Sequence, residues 1–380
     1  MKVAFDTGIL ELGDAVRGRG VYTNELFGAL NEYADTHENF KLDIFDFSKN
    51  SEKLISGKYD ILHYSNFFPY SVTLPASHFA KNVITIHDLI QLVYPQKYKP
   101  GFKGKISFLI QKLRLKNIDG ILTVSETSKK DIVRFLPFPS EKVEAVYLAP
   151  KKVFKQINDR SLLKSIAEKY SLPSKFVLYV GDVNYNKNIP TLLKAVRIAG
   201  IPLVICGKHA LDVEHGGFDM ASFTGPRDWI RYVSGKPHPE LEHFKNLLEE
   251  FTDNKKIIRT GFVPDEDLAA IYNLATVYCQ PSFYEGFGLS ILESFACGTP
   301  VIVSKTQALM EIAGNASLSF DPNNVNDLVD KILKIFKDTA LSVKLSRNGL
   351  EKAKEFSWEK TALNTVEFYK FILSGKKTEK

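Results

Sequence analysis

The sequence contains few of the residues that stabilise secreted or membrane-embedded proteins. It has only three cysteines, Cys206, Cys279 and Cys297, and their spacing matches no metal-binding pattern. We interpret them as reduced thiols of a cytoplasmic protein. No window approaches 18 uncharged apolar residues, and the first residues lack the apolar segment of a signal peptide. These absences predict neither export nor a membrane-spanning helix.

Neither sign of charge dominates the chain. Its 50 Lys and Arg residues against 44 Asp and Glu give a formal net charge of +6, with a sequence pI near 8.9. This mild excess suits an anionic ligand or a membrane surface, but it falls short of the basic stripe of a nucleic-acid-binding protein. With 44% hydrophobic and 25% charged residues over 380 positions, the composition predicts a soluble globular protein of two domains.

Short apolar segments alternate with amphipathic ones, and no internal repeat is found. The first half has predicted strands at 3–6, 42–47, 61–64, 83–87, 120–124 and 143–148, with a helical pattern at 22–33. After a lysine-rich stretch, the second half has predicted strands at 176–180, 203–206, 256–260, 277–280 and 301–304, with helical patterns at 265–274 and 327–336. This alternation predicts an α/β protein of two Rossmann-like halves, each with a doubly wound parallel sheet. Ligands of such sheets bind beyond the carboxyl ends of the strands.

The most informative stretch is 283–300. It begins Phe283-Tyr284-Glu285-Gly286-Phe287-Gly288-Leu289 and ends Cys297-Gly298-Thr299-Pro300. We predict that its helix begins at Ser290 with Glu293 in the first turn, so that loop and helix N–H groups can receive a phosphate. The alternative is a capping box, in which Glu293 only closes the helix terminus at Ser290. A capping box would leave Glu285 and the paired glycines unexplained.

The same stretch resembles the E-x7-E segment of the retaining glycosyltransferases of family 4 (group 1), which have the GT-B fold. It departs from the family at Ser290, where Pro is common, and at Ser294, where Ala is common. The resemblance implies two Rossmann-like domains facing across a cleft. Residues 1–155, completed by a C-terminal helix at about 358–375, would hold the acceptor, and residues 156–357 the donor.

The resemblance also implies roles for single residues. Glu285 would contact the sugar hydroxyls and Glu293 the ribose of the nucleotide. The residues between them that would bind the nucleotide sugar are Gly286, Phe287, Gly288 and Leu289.

Two motifs of the first half match the same family. Gly18-Arg19-Gly20-Val21-Tyr22-Thr23 resembles its G-x-G-R-Y-T loop, in which Gly18 and Gly20 would let the backbone approach a diphosphate. A simple tight turn is the alternative. Thr85-Ile86-His87-Asp88 resembles the T-x-H-D motif, in which His87 would contact the transferred sugar and Asp88 would support the site. A structural histidine at the end of a strand is the alternative.

A lysine motif opens the second half. Gly181 and Lys187-Asn188 match the pattern G-x-x-x-x-x-K-N, which implies that Gly181 and Lys187 bind the donor diphosphate and that Lys187 helps it leave. Many family members carry an Arg where Asp182 or Asn186 stands here, so Lys208 becomes the candidate second cation. No D-x-D metal motif is identified, and no His/Asp cluster has ligand spacing. No metal or other cofactor is therefore expected.

The expected function is a cytoplasmic retaining glycosyltransferase that uses GDP-mannose or a UDP-sugar and a saccharide or lipid-linked acceptor, with no nucleic-acid partner. The alternative is a non-catalytic nucleotide-sugar-binding subunit of a glycan assembly complex. A basic amphipathic segment at 97–116 suggests peripheral contact with the inner face of a membrane. The alternative is that its apolar stripe, Ile106, Leu109, Ile110 and Leu113, packs on the core. Residues 209–239 lack clear periodicity and receive no role.

Overall fold

The computed structural model describes residues 1–11, 18–50, 57–76, 80–207 and 256–375, and the single positions 211, 247 and 251. The chain divides into two compact units, Met1–Ala149 with Phe356–Lys380, and Pro150–Glu355. Lys208, the segment 209–239 apart from position 211, and the lysine-rich tail 376–380 lie outside the described residues. No helix in the described part of the chain is long and apolar enough to cross a membrane.

The first unit is built on a parallel sheet with strand order β2-β1-β3-β4-β5-β6. Its strands are β1 (Lys2–Asp6), β2 (Lys41–Phe45), β3 (Ile61–Tyr64), β4 (Lys81–Ile86), β5 (Gly120–Thr123) and β6 (Val143–Ala145). All six predicted strands are present, although β6 ends three residues earlier than predicted. The inner strands β3, β4 and β5 are almost wholly buried, as apolar runs in a sheet covered on both faces should be.

The second unit has a parallel sheet with strand order β12-β11-β10-β7-β8-β9. Its strands are β7 (Val177–Val180), β8 (Leu203–Cys206), β9 (Ile257–Gly261), β10 (Val277–Gln280), β11 (Val301–Ser304) and β12 (Leu318–Phe320). The chain runs outward from β7 in one direction and from β10 in the other, so the order reverses between these two strands. Ligands bind at such a switch point in doubly wound sheets. The edge strand β12 was not predicted, because its three residues are too few to show a period.

Helices flank both sheets. Within the described residues they are α1 (Gly18–Thr36), α2 (Ile90–Val93), α3 (Phe102–Arg114), α4 (Glu126–Phe135), α5 (Arg160–Lys169), α6 (Ile189–Ala199), α7 (Asp265–Leu274), α8 (Leu289–Ala296), α9 (Gln307–Ala313), α10 (Val325–Lys337), α11 (Thr339–Ala353) and α12 (Trp358–Ser374). Ser125 caps α4, because its hydroxyl accepts a hydrogen bond from the Ser128 N–H at 3.0 Å. The doubly wound α/β fold class predicted from the sequence is therefore confirmed.

The last helix, α12, packs on the first sheet. A Cβ atom at Gly120 of β5 would lie 2.6 Å from Ile372 and 2.7 Å from Phe368, so a larger residue there would have to displace these side chains. The Thr361 hydroxyl also donates to the carbonyl of Tyr147 at 2.7 Å. The final helix of the chain thus covers a sheet whose strands were completed more than 200 residues earlier in the sequence.

The three cysteines are free and buried. Burial raises the pKa of Cys206 and of Cys297 to about 12, and it raises that of Cys279 as well. These thiols are therefore protonated and poorly reactive at neutral pH.

Candidate active site

The Glu285 carboxylate lies at the carboxyl end of β10 and is held by several donors. Its Oε1 accepts hydrogen bonds from Gln280 Nε2 and from Ser282 Oγ, both at 2.6 Å. Gln280 is fixed in turn by the hydroxyl of Tyr278, which donates to its Oε1. These three supporting residues are buried and alternate along the strand, so they line one face of it.

Lys187 completes this cluster. Its ammonium group lies 2.8 Å from both carboxylate oxygens of Glu285, in an ion pair whose lysine side chain is 22% exposed and whose carboxylate is 11% exposed. Glu285 Oε2 accepts only the Lys187 ammonium among the described residues, so this oxygen can accept a further hydrogen bond from a hydroxyl. The structure therefore places two predicted site residues, 98 positions apart in the sequence, in direct contact.

Asn186 and Asn188 fix the loop that carries Lys187. The side-chain amide of Asn186 donates to the Tyr284 carbonyl at 3.2 Å, and the backbone carbonyl of Asn186 accepts from the Phe283 N–H at 2.7 Å. Asn188 has a left-handed backbone (φ 53°), and its amide donates to the carbonyls of Pro281 and Pro322, each at 3.0 Å. Asn186, which stands where many relatives have an Arg, therefore ties the lysine loop to the Glu285 loop.

Gly181 follows β7 with φ 141°, a conformation that favours glycine. Its carbonyl oxygen lies only 2.2 Å from the place where a Cβ atom of Gly207 would be. The strand ends of β7 and β8 thus approach each other closely through their glycines. Asp182 next to it accepts a hydrogen bond on its backbone carbonyl from the buried Tyr179 hydroxyl at 2.5 Å.

The helix after the Glu285 loop begins one residue earlier than predicted. α8 starts at Leu289, its N-cap Gly288 has φ 105°, and no side chain caps it. Glu293 is the fifth helical residue, so its placement in the first turn was wrong, and no capping box forms with Ser290. The N–H groups of Gly288 and Leu289 have no acceptor among the described residues. This helix terminus can therefore receive an anion.

Glu293 is only 9% exposed and accepts a hydrogen bond from the Tyr272 hydroxyl at 3.0 Å. Burial raises the pKa of its carboxyl to about 7, the Tyr272 hydrogen bond acts in the opposite direction, and the charge of Asp265 raises it further. The carboxyl is therefore close to half protonated at neutral pH, and it can either donate to or accept from a ligand hydroxyl.

His87 follows β4 in the first unit and is partly exposed. Burial of the ring lowers its pKa to about 3, the charge of Arg19 lowers it further, and the contact with the Ser65 carbonyl opposes the shift. The neutral ring places Nε2 at 3.4 Å from this carbonyl. If Nε2 carries the proton, as this contact requires, Nδ1 is a hydrogen-bond acceptor.

A buried hydrogen-bond chain supports the ring of His87. Tyr22 of α1 contacts that ring edge-on, with 4.7 Å between the ring centroids, and its hydroxyl lies 2.7 Å from Thr85 Oγ1. Thr85 lies 2.7 Å from Nε2 of His63, whose Nδ1 is 2.5 Å from the Tyr369 hydroxyl. Burial also lowers the pKa of His63 to about 3. The hydrogen-bond chain connects α12, through neutral groups, to Tyr22, which contacts His87.

Gly18 and Gly20 lie in the first turn of α1. Gly18 is exposed, and a Cβ atom there would meet none of the described residues within 4 Å, whereas Gly20 is buried. Neither glycine has a positive φ. The alternative of a tight turn is therefore wrong for these two residues, which belong to an open helix start. Asp88 accepts the Ile90 N–H at 3.1 Å and so shapes the local chain.

The described residues contain no group of three or more His, Cys, Asp or Glu that could hold a metal ion. Asp265-Glu266-Asp267 does fit the letters D-x-D, but it forms the first turn of α7. Asp265 is paired with Lys151 at 2.7 Å and Asp267 with Lys169 at 2.6 Å. These two carboxylates therefore form structural ion pairs.

Sequence reasoning missed the residues that support the carboxylates. Polar side chains stand at every second position from Tyr278 through Gln280 in the buried strand β10 to Ser282 just after it. That alternation was visible in the sequence as an anomaly. Two further buried oxygens, Ser65 Oγ and Asn66 Oδ1, have no hydrogen-bond partner in the part of the chain that the structure describes. They lie after β3, where the Ser65 carbonyl contacts His87.

Comparison with known families gives matches to both parts of the chain. The model described as glycosyl transferases group 1 matches residues 164–352, and the model described as Glycosyltransferase Family 4 matches residues 30–149. The O-antigen chain mannosyltransferase B of Escherichia coli is 31% identical over 82% of this chain and 74% of that protein. A serotype-specific mannosyltransferase WbdA of the same species is 28% identical over 84% of this chain, which spans only 38% of that protein.

Solved structures show a similar fold. The sucrose-phosphate synthase of Thermosynechococcus elongatus superimposes with a TM-score of 0.68 at 20% identity, covering 99% of both chains. Anabaena HepE, determined with UDP and glucose, gives a TM-score of 0.67 at 14% identity over 97% of this chain and 98% of its own. These likenesses and the two six-stranded parallel sheets confirm the GT-B fold class predicted from the sequence.

Proposed function

Since the chain belongs to the group 1 glycosyltransferases of family 4, we propose that it transfers a sugar, with retention of anomeric configuration and without a metal ion, from a nucleotide diphosphate sugar to a hydroxyl acceptor. The observation that carries this proposal is the cluster around Glu285. A carboxylate, a lysine and an open helix start converge at the switch point of the second sheet. A donor consists of a polyhydroxyl sugar and a diphosphate, which are the groups that these features bind.

The diphosphate of the donor would lie at the start of α8. The N–H groups of Gly288 and Leu289 can donate to its oxygens, and the helix dipole adds positive potential there. Lys187, next to the same loop, supplies a full positive charge that stabilises the nucleotide diphosphate as it leaves. Lys208 remains the proposed second cation. This arrangement supplies the charge stabilisation that a divalent ion provides in other enzymes.

The proposal of retention rests on the contacts of Glu285. Its carboxylate is occupied by hydrogen bonds from Gln280 and Ser282 and by the ion pair with Lys187, so it is placed to hold the donor rather than to act as a general base. We therefore assign proton removal to the departing phosphate oxygen. The acceptor oxygen bonds to the anomeric carbon on the face from which the diphosphate leaves, and its proton passes to that diphosphate. Glu285 Oε2 binds a sugar hydroxyl and stabilises positive charge at the anomeric carbon.

The other predicted residues would bind parts of the donor. His87, neutral at physiological pH, can accept a hydroxyl of the transferred sugar on Nδ1. Glu293 can bind the ribose hydroxyls of the nucleotide. Gly181, Gly286 and Phe287 would line the donor site of the second unit.

We propose GDP-mannose or a UDP-sugar as the donor. The first choice is supported by the names of the two E. coli relatives, both mannosyltransferases, and the second by HepE, which was determined with UDP. Since O-antigen is a polysaccharide, the acceptor is proposed to be a saccharide or a lipid-linked saccharide.

The direct test is a transfer assay with each donor and a panel of saccharide acceptors, read by proton NMR of the new anomeric signal. We expect an α-linked product from an α-linked donor and an unchanged rate in EDTA. A donor present at a hundred times its dissociation constant should stabilise the protein by about 2.7 kcal/mol, so thermal shifts with UDP-, GDP- and ADP-sugars select the donor beforehand.

Lys187→Ala tests the charge stabilisation. We expect a loss of roughly 10²–10³ in kcat, as for other residues that stabilise charge in a transition state. The matched control is Lys194→Ala, which removes an exposed lysine from α6 of the same unit. A β-linked product would contradict retention, and inhibition by EDTA would contradict the metal-free mechanism. Donor binding without any transfer to any acceptor would instead support the alternative of a binding subunit.

A further inference from the structure

Helix α3 of the first unit carries two apolar stripes on opposite faces. One contains Phe108 and continues to Leu115, directly after the helix, and the other contains Phe102, Ile106, Leu109 and Leu113. Residues two apart on a helix differ by about 200°, so Ile106 and Phe108, like Leu113 and Leu115, point in opposite directions. A helix with a single partner needs only one such stripe. The second stripe therefore requires its own explanation.

The inner face of α3 is firmly attached to the unit. The buried amide of Gln111 donates to the carbonyls of Phe68 and Ser71 at 3.0 and 2.7 Å, and its oxygen accepts from the Leu74 N–H at 3.0 Å. Phe108 contacts Tyr70 edge-on, with 6.1 Å between the ring centroids. These contacts fix the rotation of the helix about its own axis, so the opposite stripe cannot turn inward.

The outer stripe is exposed along the whole helix. The exposed fractions are 79% for Phe102, 45% for Ile106, 60% for Leu109 and 64% for Leu113. The alternative that the stripe of Ile106, Leu109, Ile110 and Leu113 packs on the core is therefore wrong for Ile106, Leu109 and Leu113, whereas Ile110 is half-buried. Four large apolar side chains in one row form a continuous surface, and such surfaces on soluble domains mark interaction sites.

The charge around the stripe is of one sign. Between Asp88 and Asp119 the sequence has no acidic residue, and it has seven basic ones, Lys97, Lys99, Lys103, Lys105, Lys112, Arg114 and Lys116. Lys105 and Lys112 project from one side of the outer stripe, and Lys103 projects from the other. An exposed apolar row flanked by lysines is complementary to a partner surface in which anionic groups lie over an apolar layer.

We propose that the outer face of α3, defined by Phe102, Ile106, Leu109 and Leu113 with Lys103, Lys105 and Lys112, rests on an anionic lipid bilayer. The apolar row inserts at the level of the headgroups, and the lysines pair with lipid phosphates. A symmetric contact between two copies of the chain is disfavoured, because it would bring the same lysines against each other. An acidic protein would satisfy the lysines but would leave the apolar row without a hydrocarbon partner.

This inference adds a partner to the proposed function, since it would present the acceptor side of the enzyme to lipid-linked saccharides. Only that last step rests on the proposed function. Membrane contact itself can be tested with vesicles that contain neither donor nor acceptor, so its outcome is separate from that of the transfer assay.

The first experiment is flotation of the full chain with two kinds of vesicle. One kind is phosphatidylcholine alone, and the other is an equal mixture of phosphatidylcholine and anionic phosphatidylglycerol. We expect binding to the anionic vesicles at about 0.15 M salt and release at about 1 M, where the screening length falls from about 8 to 3 Å. Lys103→Gln, Lys105→Gln and Lys112→Gln together should lower the partition coefficient about a hundredfold, at about fivefold for each charge. Phe102→Ser, Leu109→Ser and Leu113→Ser together should lower it about tenfold or more.

Matched controls come from the second unit. Lys334→Gln, Lys337→Gln and Lys344→Gln remove the same number of charges, and Val343→Ser removes an apolar side chain that is also 64% exposed. Circular dichroism and thermal unfolding establish that each variant is folded. The controls should bind vesicles as the unchanged protein does.

Insertion is measured with Leu109→Cys carrying an environment-sensitive dye, because the three native thiols are buried and should not react. Its emission should shift to the blue with anionic vesicles, whereas the dye on Val343→Cys should not respond. No binding to anionic vesicles at low salt would overturn the proposal. An equal loss of vesicle binding in the control variants would overturn it too. So would concentration-dependent dimers that the serine substitutions abolish, because they would show that a second copy of the chain covers this face.

Discussion

Replacing Glu293 by Gln should make the protein more stable at high pH. Burial raises the pKa of this carboxyl from 4.5 to about 7, so the folded state holds a proton that the unfolded state has released between these two values. In this range the free energy of unfolding falls as the pH rises, because the folded state binds more protons than the unfolded state does. Gln is neutral throughout and can still accept the hydrogen bond of Tyr272.

The magnitude follows from the shift. A difference of about 2.5 pKa units corresponds to about 3 kcal/mol of lost stability above pH 7, at about 1.4 kcal/mol per unit. Between pH 5.5 and 8.5, where the protein is more readily studied, the gain from the substitution should grow by about 2 kcal/mol. For a unit of 150–250 residues this corresponds to about 4–8 °C in the melting temperature.

The assay is scanning calorimetry of the unchanged protein and of Glu293→Gln at several pH values. The matched control is Glu266→Gln, which neutralises an exposed carboxylate of the same unit, and its melting temperature should follow that of the unchanged protein with pH. If the difference between Glu293→Gln and the unchanged protein does not grow from pH 5.5 to 8.5, the carboxyl is already ionised and the argument from burial is refuted.

Three other outcomes are expected. Because burial lowers the pKa of His63 and His87 to about 3, neither ring should titrate in NMR spectra between pH 5 and 8. The contribution of the two neutral rings to stability should be lost as the pH falls from 6.5 toward 3. A titration near pH 6.5 that disappears in His87→Gln would contradict this. Gly207→Ala should lower the free energy of unfolding in urea by about 1–3 kcal/mol, because its Cβ would meet the Gly181 carbonyl. Gly28→Ala, on the exposed face of α1, should raise this free energy by about 0.5–1 kcal/mol. Equal effects of the two substitutions would show that the backbones at Gly181 and Gly207 separate without cost. Ser282→Ala removes one donor to Glu285 and should lower kcat about tenfold in the transfer assay, and an unchanged kcat would remove Ser282 from the support of this carboxylate.

The sequence predicted those features that depend on local pattern. Strands such as β7 and β8 are short runs of buried apolar residues, which a parallel sheet covered on both faces produces directly. The start of α8 was misplaced because Ser290 and Glu293 have the spacing of a capping box. In the structure Gly288, which has a left-handed backbone conformation, is the N-cap of the helix. Glu293 accepts a hydrogen bond from Tyr272 of another helix. A contact of this kind has no signature in a local sequence pattern.

Contacts between distant positions explain the other differences. Lys187 and Glu285 were predicted separately, as ligands of a diphosphate and of a sugar, but their mutual ion pair depends on how β7 and β10 lie side by side. The outer stripe of α3 was visible as a periodic pattern. Which of its two apolar faces is buried was decided by Gln111, a polar residue that no hydrophobic pattern includes.

The packing of α12 on the first sheet has a consequence for how the chain is made. Ribosomes add about 5–20 residues per second, so Pro150–Glu355 takes roughly 10–40 s to synthesise after the first six strands have emerged. During that interval the surface of β5 around Gly120 has no cover, because Phe368, Tyr369 and Ile372 do not yet exist. A nascent chain in this state exposes apolar surface and is a substrate for chaperones. The unit that is begun first is therefore the one that is finished last.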